Sequence, residues 1–486
     1  MKKLPMLKKA NLYILNTAFL LILTAGCKTY KPVTGSDAAA NLPGTFGSSN
    51  DTTTIAALPI NQFFTDQKLI SLIDTALKAS PDILTALQRV EASRANLRFS
   101  ASKLLPTVNI AANVGLEKYG DYTQNGVGNY DTNFSQNING NQHIPNPTPN
   151  YFLGFQSSWE VDLWGKLGNQ KKAAFARFLA SQSGYRLITT QLTAQIAGLY
   201  YQLLALDAEL AIIKKNIALQ DNALEIVKIQ KLGGRATELA VQQFEAQLAR
   251  TKGLQYTTLQ QITETENQLN FLSGSFKGKI TRDTSIMKIA LPVIIGAGVP
   301  SQLLLNRPDI RAAELELTAM NADIKTARAS FFPTLTLTPY AGYNSFNAGL
   351  LFNPGSFTYG LIGGLTAPVF NRKGIKAEYE RTIAEEKIAV YNYQKTILSG
   401  FQEVNNNLSG ISNYKQAFEF KQRELQALNN ALSVANDLYL VGRANYLEII
   451  TAQRSVLDAE LELTNIKRNI FLSSVNLYQA VGGGWR

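Results

Sequence analysis

Among 486 residues the sequence holds one cysteine and one histidine. That scarcity excludes disulfide frameworks, the usual zinc ligand sets and histidine-dependent triads. An enzyme is therefore not expected, nor a cofactor or a metal site. Basic clusters are also scarce. The formal charge is +11, but Lys2, Lys3, Lys8 and Lys9 crowd the first ten residues, and no dense basic stretch interleaved with aromatics follows, which argues against a nucleic-acid partner. Past the N-terminus no uninterrupted run of 18 apolar residues occurs, so no membrane-spanning helix is expected there. Proline is absent from Gly165 to Lys231 and from Arg372 to Leu440, which leaves two stretches free to run as single helices. With 45% hydrophobic and 17% charged residues, the chain can bury a sizeable core and is not a disordered tail.

The first residues have the layout of a secretory signal. Lysines precede an apolar stretch from Leu12 to Leu23, followed by Leu23-Thr24-Ala25-Gly26-Cys27. The only cysteine directly follows a small-residue pair, as in a bacterial lipobox. Residues 1–26 are thus expected to be removed and Cys27 to become a lipid anchor, with several acyl chains giving stable attachment. Lys28, rather than Asp, fits the pattern of sorting to the outer membrane of a Gram-negative bacterium. Residues 27–60, rich in Thr, Ser, Gly, Asn and Ala, read as an extended lipidated leader.

The remainder is written twice. Ser80-Pro81-Asp82-Ile83 and Leu105-Pro106-Thr107 match Arg307-Pro308-Asp309-Ile310 and Phe332-Pro333-Thr334, 227 residues later. Gly234-Arg235-Ala236 matches Gly442-Arg443-Ala444 at an offset of 208. The two repeats span 61–272 and 301–486, joined by a connecting segment at 273–300. Each holds a helix, a strand pair (107–162 and 334–370) and a long helix pair. Val108, Ile110, Ala112, Val114 and Leu116 alternate with Asn109, Ala111, Asn113 and Gly115, and about ten residues per strand suits a tilted membrane strand. Tyr119 to Asn150, dense in Asn, Gly, Tyr and Pro, reads as a long outward loop in which His143 is incidental. The proline-free stretches amount to about 100 Å of helix each at roughly 1.5 Å per residue. Four strands cannot close a barrel, and an open sheet edge cannot sit in lipid, so several copies must pool their strands. Two would give eight and three would give twelve.

Several motifs carry a resemblance. They are Leu305-Asn306-Arg307-Pro308-Asp309-Ile310-Arg311-Ala312-Ala313-Glu314, Ala327-Arg328-Ala329-Ser330-Phe331-Phe332-Pro333, Trp159-Glu160-Val161-Asp162-Leu163-Trp164-Gly165-Lys166, and Tyr439-Leu440-Val441-Gly442-Arg443 with Ala452-Gln453. From about residue 60 to the end the sequence resembles the TolC/OprM-like outer-membrane efflux proteins, in the lipoprotein branch often called NodT. The resemblance implies a mainly α fold with a β-barrel segment, in which a homotrimer completes a twelve-strand barrel above a long α-helical barrel crossing the periplasm. It also implies the exit duct of a tripartite efflux system, passively exporting drugs, toxic compounds or metal ions. The implied partners are outer-membrane lipid, a periplasmic adaptor and an inner-membrane transporter of RND type. The alternative is the outer-membrane duct of a type I protein secretion system.

Gly234 and Gly442 end the long helices at positions where a reversal needs a left-handed residue. By the resemblance these turns form the periplasmic tip. Asp437, Tyr439 and Arg443 are candidates for the polar links that hold it shut, with Arg235 and Glu238 as first-half counterparts. Glu448 matches an acidic position that forms a ring about the closed pore in the family, where clustered carboxylates attract cations. Thr451 stands where the family commonly has Asp, which weakens the case for a second ring.

Overall fold

The computed structural model describes residues 30–35, 42–46, 54–276, 278–282, 285–292 and 296–485; the signal segment and Cys27 lie outside the described residues. The first repeat comprises α1 (Gln67–Ala79), α2 (Pro81–Ser102), β1 (Thr107–Glu117), β2 (Thr148–Val161), α3 (Lys166–Leu232) and α4 (Glu238–Leu272). The second comprises α5 (Pro300–Asn306), α6 (Pro308–Ala329), β3 (Thr334–Ser345), β4 (Phe357–Thr366), α7 (Arg372–Leu440) and α8 (Tyr446–Ala480). The lengths repeat as the elements do. α2 and α6 have 22 residues each, α4 and α8 have 35 each, and α3 and α7 have 67 and 69.

Each long helix starts and stops for local reasons. Asp162 caps α3, its carboxylate accepting from Leu167 N at 2.9 Å and Gly168 N at 2.7 Å. Thr237 caps α4, accepting from Ala240 N at 3.3 Å, and Asn445 caps α8, accepting from Leu447 N at 2.9 Å. α4 begins three residues after Arg235 because Thr237 takes the cap. α3 packs against α2 and α6 in its upper part and α4 in its lower part, while α7 packs against α6 and then α8.

The core lies midway along the long helices. Leu192, Ile196, Tyr200, Leu203 and Leu204 of α3 meet Ile397, Val404 and Ile411 of α7 and Val475, Leu477 and Tyr478 of α8. Ring stacking adds to the burial, with Phe63 on Tyr478 at 4.0 Å and Tyr201 on Phe471 at 4.7 Å. This passage explains an 18-residue window of α3 with mean hydropathy 1.5, long and apolar enough to cross a membrane by composition alone. An uninterrupted apolar run is indeed absent, and the window owes its hydropathy to the helix crossing the protein's own core.

Ion pairs and carbonyl contacts hold the connecting segment to this core. Arg282 binds Asp207 of α3 in a bidentate pair and Glu266 of α4 at 2.5 Å. Lys467 and Lys415 donate to the carbonyls of Met287 and Pro292 at 2.9 and 3.0 Å. The leader, where described, is part of the folded body. Tyr30 Oη donates to the buried carboxylate of Glu386 at 2.6 Å, Val33 N to the same carboxylate at 2.8 Å, and Phe46 stacks on Phe401 at 5.5 Å.

The four strands form one antiparallel sheet in the order β1-β2-β3-β4. β2 and β3 join the two repeats, and their crossing is tight. A Cβ on Gly154 or Gly342 would meet the facing backbone at 2.5 Å, so only glycine fits either position. The outer edges of β1 and β4 carry no strand partner among the described residues. Ile110 and Val114 are 73% and 79% exposed in the single chain, an apolar face that suits lipid rather than water.

Candidate functional site

The sheet meets the helices at the motif around Trp164. Lys166 Nζ pairs with Glu160 at 3.0 Å, Asp162 caps α3, and Trp164 Nε1 donates to the Pro333 carbonyl at 2.7 Å while its ring stacks on Phe332 at 4.9 Å. One repeat's strand-to-helix junction is thereby bolted to the other's helix-to-strand junction. Exposed Leu105, Leu163, Trp164, Phe332, Val369 and Phe370 ring this level, as aromatic and apolar side chains do at a membrane interface.

Below it, the Arg-Pro-Asp motif does more than begin a helix. Pro308 is the first residue of α6, as its ring geometry favours. The buried Arg307 grips Asp309 at 2.6 and 3.0 Å, Glu403 of α7 at 2.7 Å and the Ala480 carbonyl at the end of α8 at 2.8 Å. Three helices are tied by one guanidinium. Burial disfavours its charge, but the two carboxylates outweigh this and leave its pKa raised. Nothing in the sequence pointed to Glu403 or Ala480 as partners of this motif.

At the far end the two long helices reverse by the same backbone. In the first turn Gly234 has φ of 71°, Arg235 N donates to Gln230 O at 2.8 Å and Gly234 N to Lys231 O at 3.0 Å. In the second, Gly442 has φ of 72°, Arg443 N donates to Leu438 O at 2.8 Å and Gly442 N to Tyr439 O at 3.0 Å. Each is a Schellman cap. The residue before the left-handed one is Gly233 in one turn and Val441 in the other, both at negative φ, so only the later glycine is required.

Side chains then distinguish the turns. In the first, Glu238 accepts from Lys231, across the reversal, and from Gln242 at 2.9 Å. These bonds hold its carboxyl below the usual range. Leu224 and Val227 of α3 pack with Ala240, Val241, Phe244 and Leu248 of α4 into a small core. In the second turn Asp437, Arg443, Glu448 and Thr451 are exposed, as is Arg235 in the first. Among the described residues, Asp437, Arg443 and Glu448 make no side-chain hydrogen bond or ion pair within the chain. Beyond Phe418, α7 buries no residue.

One side-chain hydrogen bond joins the two tips among the described residues. Tyr439 Oη donates to Gln230 Oε1, and partial burial pushes the phenol's pKa up. Tyr446 and Ile450 of α8 add an apolar contact by packing on the first hairpin's core. Tyr439 is among the tip candidates named from the sequence, whereas Gln230, Lys231 and Gln242 are not. Lys231 and Glu238 flank the turn with opposite charges and were the legible pair; Gln230 carried no signal.

Two helical hairpins of this length, hung from a four-stranded sheet with an exposed apolar face, define a protein that spans one membrane by strands and extends far from it by helices. The sequence profile of the outer membrane efflux protein family matches residues 72–275 and 299–483, the two repeats without the connecting segment. The chain belongs to that family and is an outer-membrane channel protein of efflux type with a periplasmic helical extension. It is similar to the solvent efflux pump outer membrane protein SrpC of Pseudomonas putida, 28% identical over 476 residues covering 96% of this chain and 97% of the relative. It is also similar to the probable outer membrane lipoprotein SilC of Salmonella typhimurium, 27% identical over 482 residues covering 98% and 99%. The cation efflux system protein CusC of Escherichia coli is 28% identical over 425 residues covering 87% and 88%. A solved structure of CusC superimposes with a TM-score of 0.80 at 25% identity, covering 95% of this chain and all of that one.

Proposed function

We propose that three copies of this chain pool their strands into a twelve-strand barrel and their hairpins into a tube, forming the passive exit duct of a tripartite efflux system. The observation that carries this reading is the four-stranded sheet with both edges open among the described residues, attached to helices of about 100 Å. Such a sheet is stable in lipid only when its edges are paired by other copies. The duct is anchored through an acylated Cys27 in outer-membrane lipid, and its tip docks on a periplasmic adaptor beneath an inner-membrane transporter of RND type. Small molecules, such as organic solvents, drugs or metal ions, are the expected cargo. Support for that class comes from relatives, solvent efflux for SrpC and cation efflux for CusC, and these favour it over a duct for secreted proteins.

The second turn is the gate in this reading. Glu448 from three copies forms a carboxylate ring in the closed tip, while Asp437 and Arg443, without side-chain partners among the described residues of their own chain, reach neighbouring copies. Ion conductance in planar bilayers tests it. Wild type is expected to pass small cation-selective currents, and Glu448→Ala to lose selectivity for cations. Folded trimers that pass no current in any variant contradict the duct, and unchanged selectivity in Glu448→Ala contradicts the ring.

A further inference from the structure

The loop between β1 and β2 is built rather than loose. Asn133 clamps it, donating from Nδ2 to Ile144 O at 3.0 Å and accepting from Ile144 N at 2.8 Å. A helix, Gln124–Thr132, is capped by Thr123, which accepts from Gly126 N at 3.1 Å. Yet this helix buries no residue. Val127, Tyr130 and Phe134 fall at helical spacing along one stripe, with Tyr130 and Phe134 69% and 70% exposed and their rings 4.9 Å apart. Nine residues are too few to hold a helix in water alone, so the stripe requires a cover that its own chain does not provide among the described residues.

The cover can be argued from where the stripe sits. The helix follows closely on β1, one open edge of the sheet. At the other open edge, just before β4, Phe352 is 68% exposed. Closing a barrel from several copies sets β1 of one against β4 of the next, which brings the stripe beside the neighbour's Phe352. One apolar patch at each edge makes a heterologous contact that a rotation repeats until the ring closes. Charge agrees. Residues 346–356 carry no charged side chain and residues 118–147 only Lys118, Asp121 and Asp131, so neither loop offers the cation cluster that a phosphate-bearing surface would need.

We propose that Val127, Tyr130 and Phe134 of one copy clasp the Phe352 segment of the next copy at the outer rim of the barrel. The proposal rests on the multi-copy barrel above. Its test is a short bismaleimide cross-linker on full-length protein in detergent, with wild type as the control for Cys27. Tyr130→Cys/Phe352→Cys is expected to shift from monomer to a covalent ladder ending at the trimer, while each single variant does not reach the trimer. Native mass spectrometry of the same sample separates the two claims. A trimer whose double variant stays monomeric overturns the clasp alone, and a sample that does not assemble overturns both. Thiol labelling of the exposed Tyr130→Cys variant should be slow in detergent trimers. If labelling is fast there and slows only when lipopolysaccharide vesicles are added, the outer leaflet covers the stripe and the clasp is wrong.

Discussion

The two repeats share a backbone plan and differ in how their side chains finish it. The first hairpin carries its own tip core and a charged pair across its turn. The second buries no α7 residue beyond Phe418 and leaves its tip charges without side-chain partners among the described residues. A duplicated fold can thus supply a self-sufficient wall from one copy of the motif and, from the other, an arm whose remaining contacts must come from elsewhere. The same asymmetry recurs at the helix that begins each repeat. Arg307 binds Asp309, Glu403 and the Ala480 carbonyl, whereas its counterpart Ser80 is buried with a hydroxyl that has no hydrogen-bond partner among the described residues.

That second contrast gives the largest expected effect. Arg307→Ala should cost about 3 kcal/mol by leaving Asp309 and Glu403 without their shared cation, while Ser80→Ala should raise stability by up to about 1 kcal/mol by removing an unmet hydroxyl. Urea unfolding in detergent measures both; equal effects would erase the distinction between the repeats at this level. Next come the turns, where the shared backbone predicts similarity. Gly234→Ala and Gly442→Ala should each cost roughly 1–2 kcal/mol because φ is positive, and Gly233→Ala should be neutral or slightly stabilising. The smallest effect is electrostatic. Glu238 has a depressed pKa in the folded state, so its contribution is present above the unfolded carboxylate value and fades as pH falls through the lowered one. Melting temperatures of wild type and Lys231→Met should therefore differ at neutral pH and converge below about pH 4. Because the pair is fully exposed, the difference should be small and should shrink with added salt.

Much of this plan was legible because local rules wrote it. Proline-free stretches fixed the long helices, alternation marked the strands, and paired Gly-Arg steps located both reversals. The first thing to escape was contact across long separations. Arg307 meets Ala480 173 residues away and Tyr30 meets Glu386 356 residues away, and no spacing rule links such positions. Caps donated from outside the helix escaped as well. Asp162 precedes α3 by four residues and looks like the end of a strand until its carboxylate is seen on Leu167 and Gly168. The exposed face of lower α7 was not legible either, since in the proposed assembly the surface that buries it belongs to another copy.

In the proposed duct the second turn is the gate, and the Tyr439 to Gln230 bond is the side-chain hydrogen bond that ties it to the first hairpin among the described residues. The most direct measurement is single-channel conductance of Tyr439→Phe beside Glu238→Gln. The account predicts a larger conductance when the inter-hairpin bond is lost and an unchanged one when the bond within the first turn is weakened. Unchanged conductance in Tyr439→Phe, or an equal rise in both variants, would contradict it.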